Sequence, residues 1–192
     1  MAEKYKNEKL VLALGFFDGI HLGHRQLIKT AQKIAKEKNY KSGIMSFETH
    51  PLYTIFPAYA PKLITTNEQK IKIAKSLGMD YVFINPFTEH LMHYEPEDFI
   101  EHYLMRLYNV RHLVVGYNYN FGYKGKGDIN LLKKLGERFG FKVTVVMPYI
   151  IDQTSVSSTI IREYISAGKV KRAQDFLGRP YTITGTIGKG RD

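Results

Sequence analysis

Short apolar runs rich in β-branched residues alternate along the chain with segments whose apolar positions repeat at helical spacing. The apolar runs predict strands over 9–15, 42–47, 80–85, 110–116 and 141–147. The helical spacing predicts helices that start near Leu22 and that cover 67–77, 96–108, 129–139, 158–167 and 170–177. Strands that alternate with helices are typical of an α/β protein whose parallel sheet carries helices on both faces.

Three segments that follow predicted strands are candidates for a binding site: 15–24, 47–66 and 116–128. Ligands of open parallel sheets bind beyond the carboxyl ends of the strands, where the strand order reverses. The segment 47–66 has twenty residues and three prolines. A structureless loop of that length in a compact domain indicates a functional flap or a wrong assignment.

The remaining residues predict the domain organisation. The 192 residues suit one domain with a fragment of a second. We assign 1–178 to the first domain and 179–192 to a linker with the incomplete start of another unit, because the last residues predict a strand without a partner.

Composition narrows the chemistry. The chain has no cysteine, which excludes disulfides, thiolate metal sites and cysteine nucleophiles. No signal peptide or membrane-spanning run is recognisable, so we expect a cytoplasmic protein. The formal net charge of +10 favours anionic partners, which include nucleic acid, anionic lipid and phosphorylated small molecules.

Two histidines lie where the first strand gives way to a helix. Gly15 ends the strand, and His21 and His24 are i, i+3 neighbours on the first helical turn. A helix N-terminus attracts phosphate, both imidazoles can donate to one phosphate chain, and Gly23 lets a ligand approach the backbone. A helical metal pair prefers i, i+4 spacing. The alternative is an ordinary turn at Gly15 and Gly19 with histidines on the surface.

A second helix start carries hydroxyls and an arginine. Ser157, Ser158 and Thr159 lie at or beside the predicted N-cap, where free N–H groups meet an anion. Arg162 follows Ser158 by four residues, on the same helix face, and its guanidinium can bind phosphate bidentately. A plain N-cap with a surface arginine is the alternative.

The segment 116–128 interleaves aromatic residues with glycines and lysines. Such a pattern binds a nucleic-acid strand by stacking and charge, and it can equally flank a flavin ring. A turn with core tyrosines is the alternative. The aromatic residues are Tyr117, Tyr119, Phe121 and Tyr123.

Four segments in this order closely resemble one family. The segment 15–24, "GFFDGIHLGH", resembles the H-x-G-H signature of the nucleotidylyltransferases. The segments 46–51, "SFETHP", 114–128, "VVGYNYNFGYKGKGD", and 156–187, which begins "VSSTIIR", resemble the FMN adenylyltransferase domain of the prokaryotic bifunctional riboflavin kinase/FAD synthetases. The resemblance covers almost the whole chain from Lys9.

The resemblance implies a Rossmann-like fold of the nucleotidylyltransferase type and the reaction ATP + FMN → FAD + pyrophosphate, with Mg²⁺ accompanying ATP. It implies that 179–192 open a riboflavin kinase barrel, so we expect no riboflavin phosphorylation by this chain. The implied catalytic residues are His21, His24 and Arg162. The implied ATP-binding residues are Gly15, Phe16, Phe17, Asp18, Gly19, His21, Gly23, His24, Ser157, Ser158, Thr159 and Arg162. The implied FMN-binding residues are His50, Pro51, Ile55, Phe56, Asn118 and Phe121.

Other functions remain open at this point. Another nucleotidylyltransferase would use nicotinamide mononucleotide, phosphopantetheine or a cytidylyl donor. A nucleic-acid-binding module would suit the net charge and the mixture of lysine and tyrosine. The expected partners are ATP and FMN, without nucleic acid or membrane, and the metal ligands are unassigned. The rest of the riboflavin kinase domain is expected in the full-length protein.

Overall fold

A five-stranded parallel sheet forms the centre of the molecule. The computed structural model describes residues 8–186 and residue 188. The strands of this sheet are β1 (Leu10–Leu14), β2 (Lys41–Phe47), β3 (Tyr81–Asn85), β4 (Val110–Gly116) and β5 (Lys142–Val146). They lie in the order β3-β2-β1-β4-β5, and all neighbouring pairs are parallel. The predicted parallel α/β sheet is confirmed.

Helices connect the strands. They are α1 (Leu22–Lys38), α2 (Pro51–Ile55), α3 (Asn67–Ser76), α4 (Glu89–Met92), α5 (Pro96–Asp98), α6 (Ile129–Phe139), α7 (Ser158–Ser166) and α8 (Val170–Leu177). Short 3-10 turns cover Asp18–Ile20, Pro57–Tyr59 and Tyr123–Gly125, and β6 (Ile150–Ile151) pairs antiparallel with β7 (Thr154–Ser155). Within the described residues, no helix has the length and apolar character needed to cross a membrane.

The sheet is buried on both faces. Every residue of β1 is buried, and alternate residues belong to two different core clusters. Val11 and Ala13 pack with Ile28 of α1 and Ala74 of α3. Leu12, on the opposite face, belongs to the cluster that α6 and 99–105 help to form. Continuous apolar strands are expected where helices cover both faces of a sheet.

Two connections differ in detail from the sequence-based expectations. The predicted helix 96–108 forms over 96–107, but Phe99–Met105 has the wider π-type turn. The long segment 47–66 is not structureless, because it contains α2 and the turn at Pro57–Tyr59. His50 and the proline that follows it favour a helix start there, since a proline at the first helical position needs no N–H partner.

The predicted C-terminal strand is not formed in the described part of the tail. Residues 179–186 have no regular secondary structure, because no neighbouring strand offers them hydrogen-bond partners. The tail instead crosses the domain. Arg179 Nη1 donates to the Ile20 carbonyl at 3.5 Å, and Gln69 Nε2 donates to Thr184 Oγ1 at 3.0 Å. Positions 187 and 189–192 of the predicted strand lie outside the described residues.

Candidate active site

A cavity of about 350 Å³ lies beyond the carboxyl ends of β1 and β2. The loop after β1, the segment after β2 and the first turn of α7 enclose it. This is the end of the sheet at which ligands of parallel α/β proteins bind. The residues that line it are Phe16, Phe17, Asp18, His24, His50, Leu52, Tyr59, Pro61, Ser158, Thr159 and Arg162.

The loop between β1 and α1 has an unusual backbone. Phe17, Gly19 and Ile20 have φ angles of 55°, 80° and 37°. The left-handed region is costly for a β-branched residue such as Ile20, and such strain persists only where the surroundings fix it. Burial of the Phe17 and Ile20 side chains supplies this constraint.

Asp18 fixes the loop to two distant parts of the chain. Asp18 is 1% exposed, and its carboxylate accepts the N–H of Ile64 at 2.9 Å and the N–H of Thr65 at 3.1 Å. It also pairs with Arg162 Nη2 at 3.3 Å, and the Asp18 carbonyl accepts the Ser158 hydroxyl at 2.9 Å. Asp18 therefore ties the loop to the start of α7.

The two histidines face each other at the start of α1. The rings of His21 and His24 are stacked with centroids 3.6 Å apart. His21 Nδ1 accepts the His24 N–H at 3.2 Å and so caps the helix. A Cβ on Gly23 would lie 3.2 Å from the His21 ring and 3.4 Å from the Val156 carbonyl. A side chain at position 23 would therefore press against the His21 ring and a neighbouring loop, which favours glycine between the histidines.

Both histidines are neutral at physiological pH. Burial lowers the pKa of His21 to about 4, and Arg179 and Arg162 add to the effect. Burial lowers the pKa of His24 well below its ordinary value, with contributions from His21 and Lys70. A neutral His21 whose Nδ1 accepts an N–H carries its proton on Nε2, which is a hydrogen-bond donor.

The first turn of α7 contributes hydroxyls and a cation. Ser157 caps the helix by accepting the Ile160 N–H, while the Ser158 hydroxyl is engaged with the loop after β1. Thr159 is exposed at the cavity wall. Arg162 Nε is buried without a hydrogen-bond partner in the described structure. An unsatisfied buried guanidinium N–H beside a cavity indicates that the site is completed by an acceptor.

His50 faces the cavity from the other side. Its Nδ1 accepts the Leu52 N–H at 3.2 Å, and its ring packs edge-on against Phe16 with centroids 4.7 Å apart. Burial, followed by the charge of Arg162, lowers the pKa of His50. Pro51 occupies the first position of α2 and does not line the cavity.

The cavity brings together some of the predicted residues and leaves others outside it. Of the predicted ATP-binding residues, Gly15, Gly19, His21, Gly23 and Ser157 lie beside it without lining it. Of the predicted FMN-binding residues, Ile55 and Phe56 are 40% and 58% exposed outside the lining. The roles of these residues remain predictions.

The two FMN-binding residues predicted after β4 lie elsewhere. Phe121 is buried in the core, where its ring contacts Tyr119 and Phe99. Asn118 is exposed, with its Oδ1 against Gly116. The core-aromatic alternative thus describes the position of Phe121, and neither side chain reaches the cavity in this conformation.

Sequence reasoning missed four residues of this region. Leu52, Tyr59 and Pro61 line the cavity, and Lys70 lies behind it. Leu52, Tyr59 and Pro61 belong to the segment 47–66, and the prediction that this segment is a functional flap was the only sequence signal for them. For Lys70 the available signal was its helical spacing from Ala74 and Leu77, which places it on the buried face of α3.

The described residues around the cavity do not provide a set of ligands for a metal ion. Among the described residues, no group of three or more histidine or acidic side chains is placed to hold one. Asp18 is the carboxylate in the lining, and its oxygens already accept several hydrogen bonds. The residues therefore do not fit a protein-bound Mg²⁺.

The sheet order, the cavity position and the neutral histidines beside Arg162 define an α/β protein of the nucleotidylyltransferase type. Residues 3–160 match the FAD synthetase family. The chain belongs to that family.

Named relatives agree with this assignment. A FAD synthetase of Listeria monocytogenes is 33% identical over 99% of this chain and 77% of its own length. The bifunctional riboflavin kinase/FMN adenylyltransferase of Bacillus subtilis is 36% identical over 96% of this chain and 58% of its own length. That of Listeria monocytogenes is 36% identical over 92% of this chain. The chain thus spans just over half the length of these bifunctional relatives.

A solved structure shares the fold. A crystal structure described as a macrolide-efflux protein from Streptococcus pneumoniae superposes with a TM-score of 0.80 and 28% sequence identity. The match covers 90% of this chain and 57% of that protein.

Proposed function

We propose that this chain transfers AMP from ATP to FMN and releases FAD and pyrophosphate. The observation that carries the proposal is the cavity at the end of β1, where His24, His50 and Arg162 surround space for a phosphate chain. Family membership supplies the substrates.

The reaction needs no nucleophilic side chain. A phosphate oxygen of FMN attacks the α-phosphorus of ATP, the bond to the bridging oxygen breaks, and pyrophosphate leaves with the electron pair. Catalysis then consists of positioning and of stabilising the charge that spreads over the phosphate oxygens. The ring of His24 and the guanidinium of Arg162, which line the cavity, would donate to these oxygens, and His21 would act from beside the cavity, stacked against His24.

Asp18 keeps the donors in place. Its ion pair with Arg162 and its carbonyl bond with Ser158 join the loop after β1 to α7. Donors held in this way need little reorganisation as charge develops, which makes them more effective than mobile groups. Mg²⁺ would reach the site with ATP.

The wider setting is proposed from the same basis. The protein would act in the cytoplasm on small molecules, with nucleic acid outside its function. Residues 1–178 would form the adenylyltransferase domain, a boundary supported by Gly178, whose φ of 68° ends α8. Residues 179–192 would lead toward a kinase domain like the one named in the bifunctional relatives.

The test is to incubate the chain with ATP, FMN and Mg²⁺ and to quantify FAD and pyrophosphate. His24→Ala and Arg162→Ala are expected to lower kcat by a factor on the order of 10² to 10³, the usual cost of losing one preorganised donor. The control is Lys133→Ala, an exposed residue of α6 away from the cavity. If nicotinamide mononucleotide is adenylylated while FMN is left unchanged, the proposed substrate is wrong.

A further inference from the structure

Lys70 is a fully buried lysine near the cavity. Its side chain in α3 is 0% exposed, yet it forms no ion pair with a carboxylate among the described residues. Its Nζ donates to Ser46 Oγ at 3.2 Å and lies 4.1 Å from the centroid of the Phe16 ring. A lysine is rarely buried without an anionic partner, because desolvating its charge is costly.

The contacts of Lys70 lead directly to the cavity wall. The Ser46 hydroxyl, which accepts from Lys70, donates to the Phe16 carbonyl at 2.7 Å. Phe16 lines the cavity and packs against His50. Lys70 thus holds both the carbonyl and the ring of Phe16. It does not line the cavity itself, so its action passes through Phe16.

The charge of Lys70 acts on the pKa values of two histidines that line the cavity, His24 and His50. Burial lowers the pKa of Lys70 to about 8, and Asp18 opposes that shift, so the ammonium form prevails at pH 7. Its charge contributes to the lowered pKa values of His24 and His50. Arg162 is the other cation that acts on His50, and Asp18 is the nearby anion.

We propose that Lys70 is a positioning residue of this site. It fixes Phe16 and, through Phe16, His50, so that the phosphates of the nucleotide bind against side chains that are already in place. The inference rests on the proposed function, since the anion served is a nucleotide phosphate. A nucleotide phosphate would supply the negative charge that the Lys70 ammonium, only partly balanced in the free protein, still lacks. Its cost in the free protein is thereby offset when substrate binds.

The test replaces Lys70 by methionine, which has a similar length and no charge. Replacing a buried charge by an apolar side chain of similar size is commonly neutral or stabilising. We expect the melting temperature of Lys70→Met to be no lower than that of the wild type. The matched control is Lys72→Met, on the exposed face of the same helix.

Turnover supplies the first readout. We expect kcat for FAD formation to fall on the order of 10²-fold in Lys70→Met, the scale of a misplacement of about 1 Å, while Lys72→Met stays near the wild-type value. A kcat of Lys70→Met equal to that of Lys72→Met overturns the proposal. A loss of activity in Lys70→Met also overturns the proposal if the melting temperature of the variant falls below that of the wild type, because unfolding would then explain the lost turnover.

Titration of the His50 ring, followed by NMR, is the second readout and does not depend on turnover. The pKa of His50 is expected to rise in Lys70→Met and to stay unchanged in Lys72→Met. An unchanged His50 titration overturns the proposal. If the wild-type chain makes no FAD, the kinetic experiment refutes the proposed function, and the titration alone decides on Lys70.

Discussion

Replacing Asp18 by alanine is expected to destabilise the fold strongly. The carboxylate is 1% exposed and accepts hydrogen bonds from the N–H groups of Ile64 and Thr65. It also forms the ion pair with Arg162. Because Asp18, Ile64 and Thr65 are all buried, water cannot easily replace the lost oxygens.

The magnitude follows from these contacts. Each buried N–H left without an acceptor costs about 1–3 kcal/mol. Removing one partner of a buried ion pair costs about 3–5 kcal/mol, and the cost is discounted here because the Arg162 side chain is 21% exposed. These terms share one site and do not add, so we expect a loss of about 3–5 kcal/mol in the free energy of unfolding. At about 2–4 °C per kcal/mol, the melting temperature falls by about 6–20 °C.

Urea unfolding followed by circular dichroism measures this loss. The control is Glu95→Ala, which removes an ion pair with Lys126 in which both side chains are about half exposed. Such pairs contribute about 0–1 kcal/mol. If Asp18→Ala loses no more stability than Glu95→Ala, the claim that Asp18 ties the loop to α7 is refuted.

Three further outcomes are expected. Because burial lowers the pKa of His21 from 6.5 to about 4, the stability from its neutral form is present above pH 6.5 and is lost as pH falls toward 4. Between pH 6.5 and pH 4, the free energy of unfolding measured in urea should fall by up to about 3 kcal/mol more for the wild type than for His21→Asn, a variant that keeps a helix cap. Equal falls in the two proteins would contradict the lowered pKa of His21. Gly178→Ala should cost more stability than Gly168→Ala in thermal melts, because both have left-handed φ angles but only a Cβ at Gly178 would lie 2.6 Å from Leu22; equal costs would show that this contact relaxes freely. Gly23→Ala should lower kcat for FAD formation by displacing the His21 ring, and an unchanged kcat would mean that the ring position does not matter.

The sheet was predictable because its central strand is buried on both faces and its other strands are largely apolar. The resulting continuous apolar runs differ clearly from the periodic helices, and the predicted helix 129–139 has the bounds of α6. The predicted terminal strand failed for a physical reason. The β-type pattern at 179–186 was predicted to lack a partner, and without one it forms no strand.

The site was predictable only where its residues are adjacent in sequence. His21 is the extended N-cap of α1 and His24 lies in its first turn, so their spacing of three residues indicated that the two side chains would lie close together. The structural role of Asp18 depends on partners 46, 47 and 144 positions away, which no local pattern indicates. Likewise, an aromatic loop residue such as Phe121 has the same composition signal whether it lines a site or fills the core.

The order of the strands has a consequence for synthesis of the protein. β1 is made first among the strands, but it is the central strand and needs both β2 and β4 as neighbours. At about 5–20 residues per second, roughly 5–20 s pass between β1 and the arrival of β4. During that interval one edge of β1 keeps its backbone N–H and C=O groups unpaired. Chaperone demand should therefore be greatest while the chain between β2 and β4 is being translated.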